Sequence, residues 1–149
     1  MAYTHRSRTV AAAAHDIWDV LADFGSISAW AGNVDHSCIL THGPDGQPHG
    51  TTRRIQAGRN TLVERITEFD PPHALAYDIE GLPKRLRRVA NRWTLHPTRG
   101  GTDVTVTSTV EISSRPTQQL AERVLCRVLA RQSEVMLAGL ADRMEKSRV

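Results

Sequence analysis

In TDVTVTSTVEI, residues 102–112, apolar and polar side chains alternate. Val104, Val106, Val110 and Ile112 fall on one face of a strand, and Thr105, Thr107, Thr109 and Glu111 on the other. After SSRP the period changes to about 3.6. Leu120, Val124, Val128, Val135 or Met136, Leu140 and Met144 then form a stripe. This predicts a helix that starts near Pro116 and ends near Met144, with Ser114 as its N-cap and Pro116 in its first turn. At 1.5 Å per residue it is roughly 40 Å long, longer than any strand here. Upstream the period is two. THRSRTV predicts an opening strand that ends near Val10. VDHSCIL places Val34, His36, Cys38 and Leu40 on one face. TTRRIQA and TLVERITEF read as a hairpin joined by GRN, and ALAYDIE and RVANRWTLH as two further strands. THGPDGQPHG, DPPH and PTRGG are turns. Between the first two strands, Ile17, Val20, Leu21 and Phe24 recur at helical spacing until Gly25 breaks the pattern. A shorter apolar piece, SISAW, follows and ends by Gly32.

The order is strand, two short helices, six strands and one long helix, within one domain over residues 1–149. Strands joined by short turns make an antiparallel meander. Its apolar face needs a cover, and the final helix is the only element large enough. The first strand joins the sheet edge. A curved sheet around a long helix leaves space between them, and the two short helices close one end of it.

Three stretches carry a family resemblance. IWDVLADFGSISAW, with Trp18, Leu21, Asp23, Phe24 and Trp30, resembles the helix-helix opening of the START-related superfamily, also called SRPBCC. VERITEFDPPHALAYDI resembles its central hairpin, and RWTLHPTRGGTDVTVT its late strand pair. The superfamily includes polyketide cyclases, lipid-transfer domains and pollen-allergen-like proteins. The resemblance implies an α+β helix-grip fold: a seven-stranded curved antiparallel sheet wrapped around a long C-terminal helix, with two short helices after the first strand. It also implies a hydrophobic cavity under that helix, and a small hydrophobic molecule or lipid as partner.

With the inward phase taken from the family's phrasing, each strand contributes apolar residues and one polar group. The inward set is His36 and Cys38; Arg53 and Ile55; Leu62, Glu64 and Ile66; Val89, Asn91 and Trp93; and Val106, Ser108 and Val110. A buried unpaired polar group costs roughly 1–3 kcal/mol, so five of them suit a pocket better than a solid core. The candidate ligand-binding residues are His36, Arg53, Ile55, Glu64, Asn91, Trp93, Ser108 and, from the helix, Met136. Two readings of Glu64 stand side by side. A two-residue turn at Arg59 and Asn60 pairs Ile55 with Glu64 and sets Arg53 diagonally across, within reach of an ion pair that satisfies itself. Otherwise Glu64 contacts a ligand. The resemblance places Glu64 where plant hormone receptors use a glutamate through water, and His36 where they have a lysine that meets a ligand carboxylate. Asn91 and Ser108 are placed to serve each other, and Trp93 to pack.

Composition narrows the classes. The chain has 149 residues, 40% hydrophobic and 23% charged, as in ordinary globular proteins. It contains no apolar run of about 18 residues, so no stable membrane insertion is expected. MAYTHRSRTV lacks the apolar stretch of a secretory signal, which points to the cytoplasm. Cys38 and Cys126 read as reduced, buried thiols. The seven histidines show no metal-ligand spacing, so neither metal nor cofactor is expected. Net charge is +3, and arginine supplies nearly all of the basic side chains. PKRLRR reads as a solvated loop at the cavity mouth, or as an attraction for anionic lipid. Arg123, Arg127 and Arg131 read as a solvated helix face, with Glu134 near Arg131. Nucleic acid is disfavoured because no aromatics interleave with these arginines. The sequence leaves monomer and homodimer both open. The leading expectation is a non-catalytic carrier or sensor of a small hydrophobic molecule. The alternative is a polyketide cyclase or aromatase, with His36 or Glu64 as base and Arg53 as enolate donor. A second alternative is a protein-interaction module that uses the arginine-rich loop.

Overall fold

Consecutive strands linked by short turns pair with their neighbours, and in this computed structural model, which describes residues 1–82, 86–112 and 118–146, they do so throughout. The strands are β1 (Ala2–Val10), β2 (His36–Thr41), β3 (Thr52–Ala57), β4 (Asn60–Asp70), β5 (Ala74–Glu80), β6 (Leu86–Thr98) and β7 (Gly101–Ile112). They form one antiparallel sheet in the order β1-β7-β6-β5-β4-β3-β2. Helix α1 (Ala14–Ala22) and a 3-10 turn (Phe24–Ala29) follow β1, and helix α2 (Gln118–Lys146) ends the chain. This is the helix-grip architecture expected from the sequence. Ser114 and Pro116, proposed as the start of α2, lie outside the described residues. No helix among the described residues is long and apolar enough to cross a membrane.

Three details differ from the sequence reading. The β3–β4 turn falls on Gly58 and Arg59, so Ala57 pairs with Asn60, Ile55 with Leu62, and Arg53 directly with Glu64. The face of β2 is inverted: Ser37 and Ile39 point inward, whereas His36 and Cys38 are exposed. The cause is the 3-10 turn, which docks on β2. Ser37 Oγ donates to the Gly25 carbonyl (2.7 Å) and accepts from the Ser28 amide (3.0 Å). A side chain at Gly25 would meet Ile39 Cγ1 at 2.7 Å. Cys126 is half-buried, so neither thiol belongs to the core.

The third difference concerns α2. Its C-terminal half buries Ser133, Met136, Leu137, Leu140, Ala141 and Met144, packing on β1 and β7. In its N-terminal half the expected stripe is not buried: Leu120, Val124 and Val128 are 67%, 55% and 48% exposed; farther along, Val135 is exposed too. The inner side there is Glu122, Leu125, Cys126, Leu129 and Ala130, only partly apolar. Arg123, Arg127 and Arg131 are exposed, and Glu134 accepts from Arg6 Nε at 2.8 Å instead of serving Arg131.

The outer face of the sheet is a ladder of ion pairs: Arg65–Glu80, Arg88–Asp78 and Arg92–Glu68. Arg92 donates to both oxygens of Glu68, at 2.8 and 3.1 Å. That hydrogen bonding holds the Glu68 carboxyl below its ordinary value and Arg92 above its own. A depressed carboxylate stabilises the fold above its unfolded value, about 4.3, and the effect is lost as pH falls through the folded value. Both side chains are substantially exposed, so solvent limits the coupling to below about 1 kcal/mol. A Glu68→Gln/Arg92→Gln double-mutant cycle should give that coupling at pH 7, weaker in high salt. Coupling undiminished at about pH 2 would refute it.

Candidate functional site

Because α2 rests on β1 and β7, its N-terminal half stands off the rest of the sheet and leaves an internal cavity of about 440 Å³. Ile55, Leu62 and Ile79 form its sheet wall, and Leu125, Val128, Leu129 and Met136 its helix wall. Ile27 and Val34 close the end at the 3-10 turn; Ala57, Asn60 and Leu82 mark the opposite end. Asn33 Nδ2 donates to Gln132 Oε1 at 2.7 Å, tying the turn to α2 across the cavity. Volume and mixed lining match those of small-molecule sites. A shallower hollow of about 680 Å³ lies outside, between Trp30 and the last turns of α2. It is larger but broadly open, and none of the inward polar groups reaches it, so the internal cavity is the better candidate.

Under the cavity lies a buried ion pair. Arg53 is 2% exposed, and its Nε donates to Glu64 Oε1 at 2.8 Å. Nη1 donates to the Phe24 carbonyl at 2.9 Å. Nη2 lies 2.6 Å from the same Glu64 oxygen but is aligned with no acceptor, so its contribution is ionic. The guanidinium is also stacked, with Cζ 3.7 Å from the Phe24 ring centre and 4.7 Å from that of Tyr77. Nε and Nη1 of Arg53 are thus hydrogen-bonded, and Nη2 is held by charge alone. Glu64 lines the cavity; Arg53 does not.

A second network runs beside it. Ser108 Oγ donates to Asn91 Oδ1 (2.6 Å), Asn91 Nδ2 donates to the Tyr77 hydroxyl oxygen (3.3 Å), and Trp93 Nε1 donates to the same oxygen (3.2 Å). Burial pushes the Tyr77 phenol above its ordinary value, and the Glu64 charge adds to the rise. Tyr77 therefore stays a neutral hydroxyl throughout the physiological range. Trp93 also packs edge-on against Trp30, with ring centres 5.8 Å apart.

The structure thus separates the eight candidates. Ile55, Glu64, Asn91 and Met136 line the cavity. Arg53, Trp93 and Ser108 are buried behind that lining and hold its members in place. His36 lies on the exposed side of β2 and does not join them. Tyr77, Leu129 and Gln132 were missed. For Tyr77 the signal was available: Leu75, Tyr77 and Ile79 alternate on β5, and Tyr77 pairs with Ile66 on one side and Asn91 on the other. Among the described residues no three His, Cys, Asp or Glu side chains gather as metal ligands.

Known proteins share this architecture. An uncharacterised protein of Mycobacterium tuberculosis is 29% identical over 105 residues, covering 68% of this chain and 71% of that protein. A solution structure from Thermobifida fusca is 29% identical with a TM-score of 0.79, covering 98% of this chain and 95% of that one. The Zhui aromatase/cyclase of Streptomyces sp. R1128 is 20% identical with a TM-score of 0.82, covering 99% and 96%, a likeness of fold. A START superfamily protein of Mycobacterium smegmatis, 17% identical with a TM-score of 0.73 and covering 97% of each chain, also shares the fold. Residues 1–145 match the family described as polyketide cyclase / dehydrase and lipid transport, and the chain belongs to that family.

Proposed function

We propose that the chain binds a small hydrophobic molecule or lipid in the cavity between the sheet and α2, acting as a carrier or sensor. The observation that carries this reading is an internal space of about 440 Å³ with apolar walls and a few fixed polar groups. Cyclisation would call on a base and an enolate donor. His36 faces away from the cavity, and Arg53 sits behind it with its donors on Glu64 and Phe24. Only Glu64 of the three is left at the wall, which favours binding over catalysis. The interaction-module reading rested on PKRLRR. Pro83, Lys84 and Arg85 lie outside the described residues, while Arg87 and Arg88 pair with Glu111 and Asp78.

The test is titration with a polarity-sensitive hydrophobic dye, then competition by fatty alcohols and polycyclic aromatics. Saturable binding is expected. Leu129→Trp, which fills the helix wall, should weaken it about tenfold or more, equivalent to about 1.4 kcal/mol, with the melting temperature little changed. Absence of saturable binding, or dye binding indifferent to the plug, would overturn the reading.

A further inference from the structure

Tyr77 is 1% exposed, yet its hydroxyl proton has no acceptor among the described residues. Its oxygen already accepts two N–H bonds, from Asn91 and Trp93, so both lone pairs are used. The Asn91 amide has one sensible orientation. Its contact with Ser108 is 2.6 Å, a length for O–H···O, whereas its contact with Tyr77 is 3.3 Å, beyond the about 2.5–3.0 Å of an O–H···O bond. Nδ2 therefore faces Tyr77, and the amide cannot take the phenol proton. Buried donors are nearly always satisfied, and Tyr77 is part of the cavity lining. Glu64 supplies the complementary group. Arg53 engages Oε1, and no donor reaches Oε2 among the described residues.

We propose that the cavity selects neutral apolar molecules bearing a carbonyl oxygen, which accepts the Tyr77 hydroxyl proton in a hydrogen bond, and that it rejects carboxylates. This rests on the binding reading above and adds the ligand's polarity and charge. A hydroxyl on the same molecule gains a second contact at Glu64 Oε2. A carboxylate finds no free cation: Arg53, the one buried arginine among the described residues, is committed behind the wall. The carboxylate would instead bring a second negative charge close to Glu64 in a partly enclosed, mostly apolar space. Ser108 is a positioning residue, because it sets the Asn91 amide that in turn orients Tyr77.

Three probes on one ring system test this by calorimetry: 2-acetylnaphthalene, 2-ethylnaphthalene and 2-naphthoate. The ketone should bind about tenfold more tightly than the hydrocarbon, the worth of one buried hydrogen bond. The naphthoate should bind more weakly than both. Tyr77→Phe should remove the ketone's advantage over the hydrocarbon, read as the ratio of the two affinities in the same variant. If that variant fails to fold, the comparison of the three probes on the parent chain decides alone. Equal affinity for ketone and hydrocarbon, or tighter binding of naphthoate, would overturn the selectivity while leaving the cavity reading intact. If neither the hydrophobic dye nor the hydrocarbon binds, the cavity reading falls and the selectivity with it.

Discussion

Glu64→Gln is expected to destabilise the fold by about 3–5 kcal/mol, because it leaves the Arg53 cation under the sheet without its counter-charge. A lone buried carboxylate can escape by taking up a proton; a guanidinium has no such route. Stacking on Phe24 and Tyr77 and the bond to the Phe24 carbonyl offset only part of the loss. The double variant Glu64→Leu/Arg53→Met removes both charges at similar volume and should recover most of the stability, with the Phe24 carbonyl left unpaired as the remainder. Urea unfolding of the single and double variants checks this. A loss below about 1 kcal/mol for Glu64→Gln would mean that water in the cavity screens the pair, as at a protein surface.

Gly139→Ala should also destabilise, by about 1–3 kcal/mol net, although helix propensity alone argues for a gain of roughly 1 kcal/mol. The added Cβ would overlap the Trp30 carbonyl oxygen and crowd its carbon, and these are backbone atoms that no rotamer change can move aside. The methyl group therefore forces α2 away from the segment after the 3-10 turn, where Trp30 and Ala31 are buried. Thermal unfolding reads the sign directly. An alanine variant as stable as the parent would show that α2 slides past Trp30 without loss.

The strands that were read correctly share a property. In β3, β4, β6 and β7 the inward positions include Ile55, Ile66, Val89, Trp93, Val106 and Val110, all nearly fully buried, so burial and apolarity coincide and fix the phase. The polar groups among them, Arg53, Glu64, Asn91 and Ser108, then had to face inward as well. In β2 the two diverge. The residues that touch the core are Ser37 and Ile39, and Ser37 faces in because the 3-10 turn needs its hydroxyl, a demand that hydrophobic periodicity does not register. Val34 precedes β2, so extending the alternation back to it carried the wrong parity.

Helix α2 was misread for a different reason. Leu120, Val124 and Val128 repeat every four residues, and each step of four overshoots a 3.6-residue turn by about 40°. The row drifts off the face defined by Met136, Leu140 and Met144, while Glu122 and Ser133 on the buried face hide the true stripe. The cavity's polar members were mostly legible. Their roles were not, because which of two neighbours lines the wall and which holds it depends on distances such as the 2.6 Å between Ser108 and Asn91.

The divided burial of α2 has a thermodynamic consequence. Its C-terminal half rests on the sheet, but Leu125 and Leu129 rest on the cavity. A molecule held there would supply the missing contact surface for that stretch of helix, so occupancy and helix order become two expressions of one linked equilibrium. Linkage is reciprocal: whatever steadies the exposed Leu120 and Val124 from outside would raise affinity inside by the same factor.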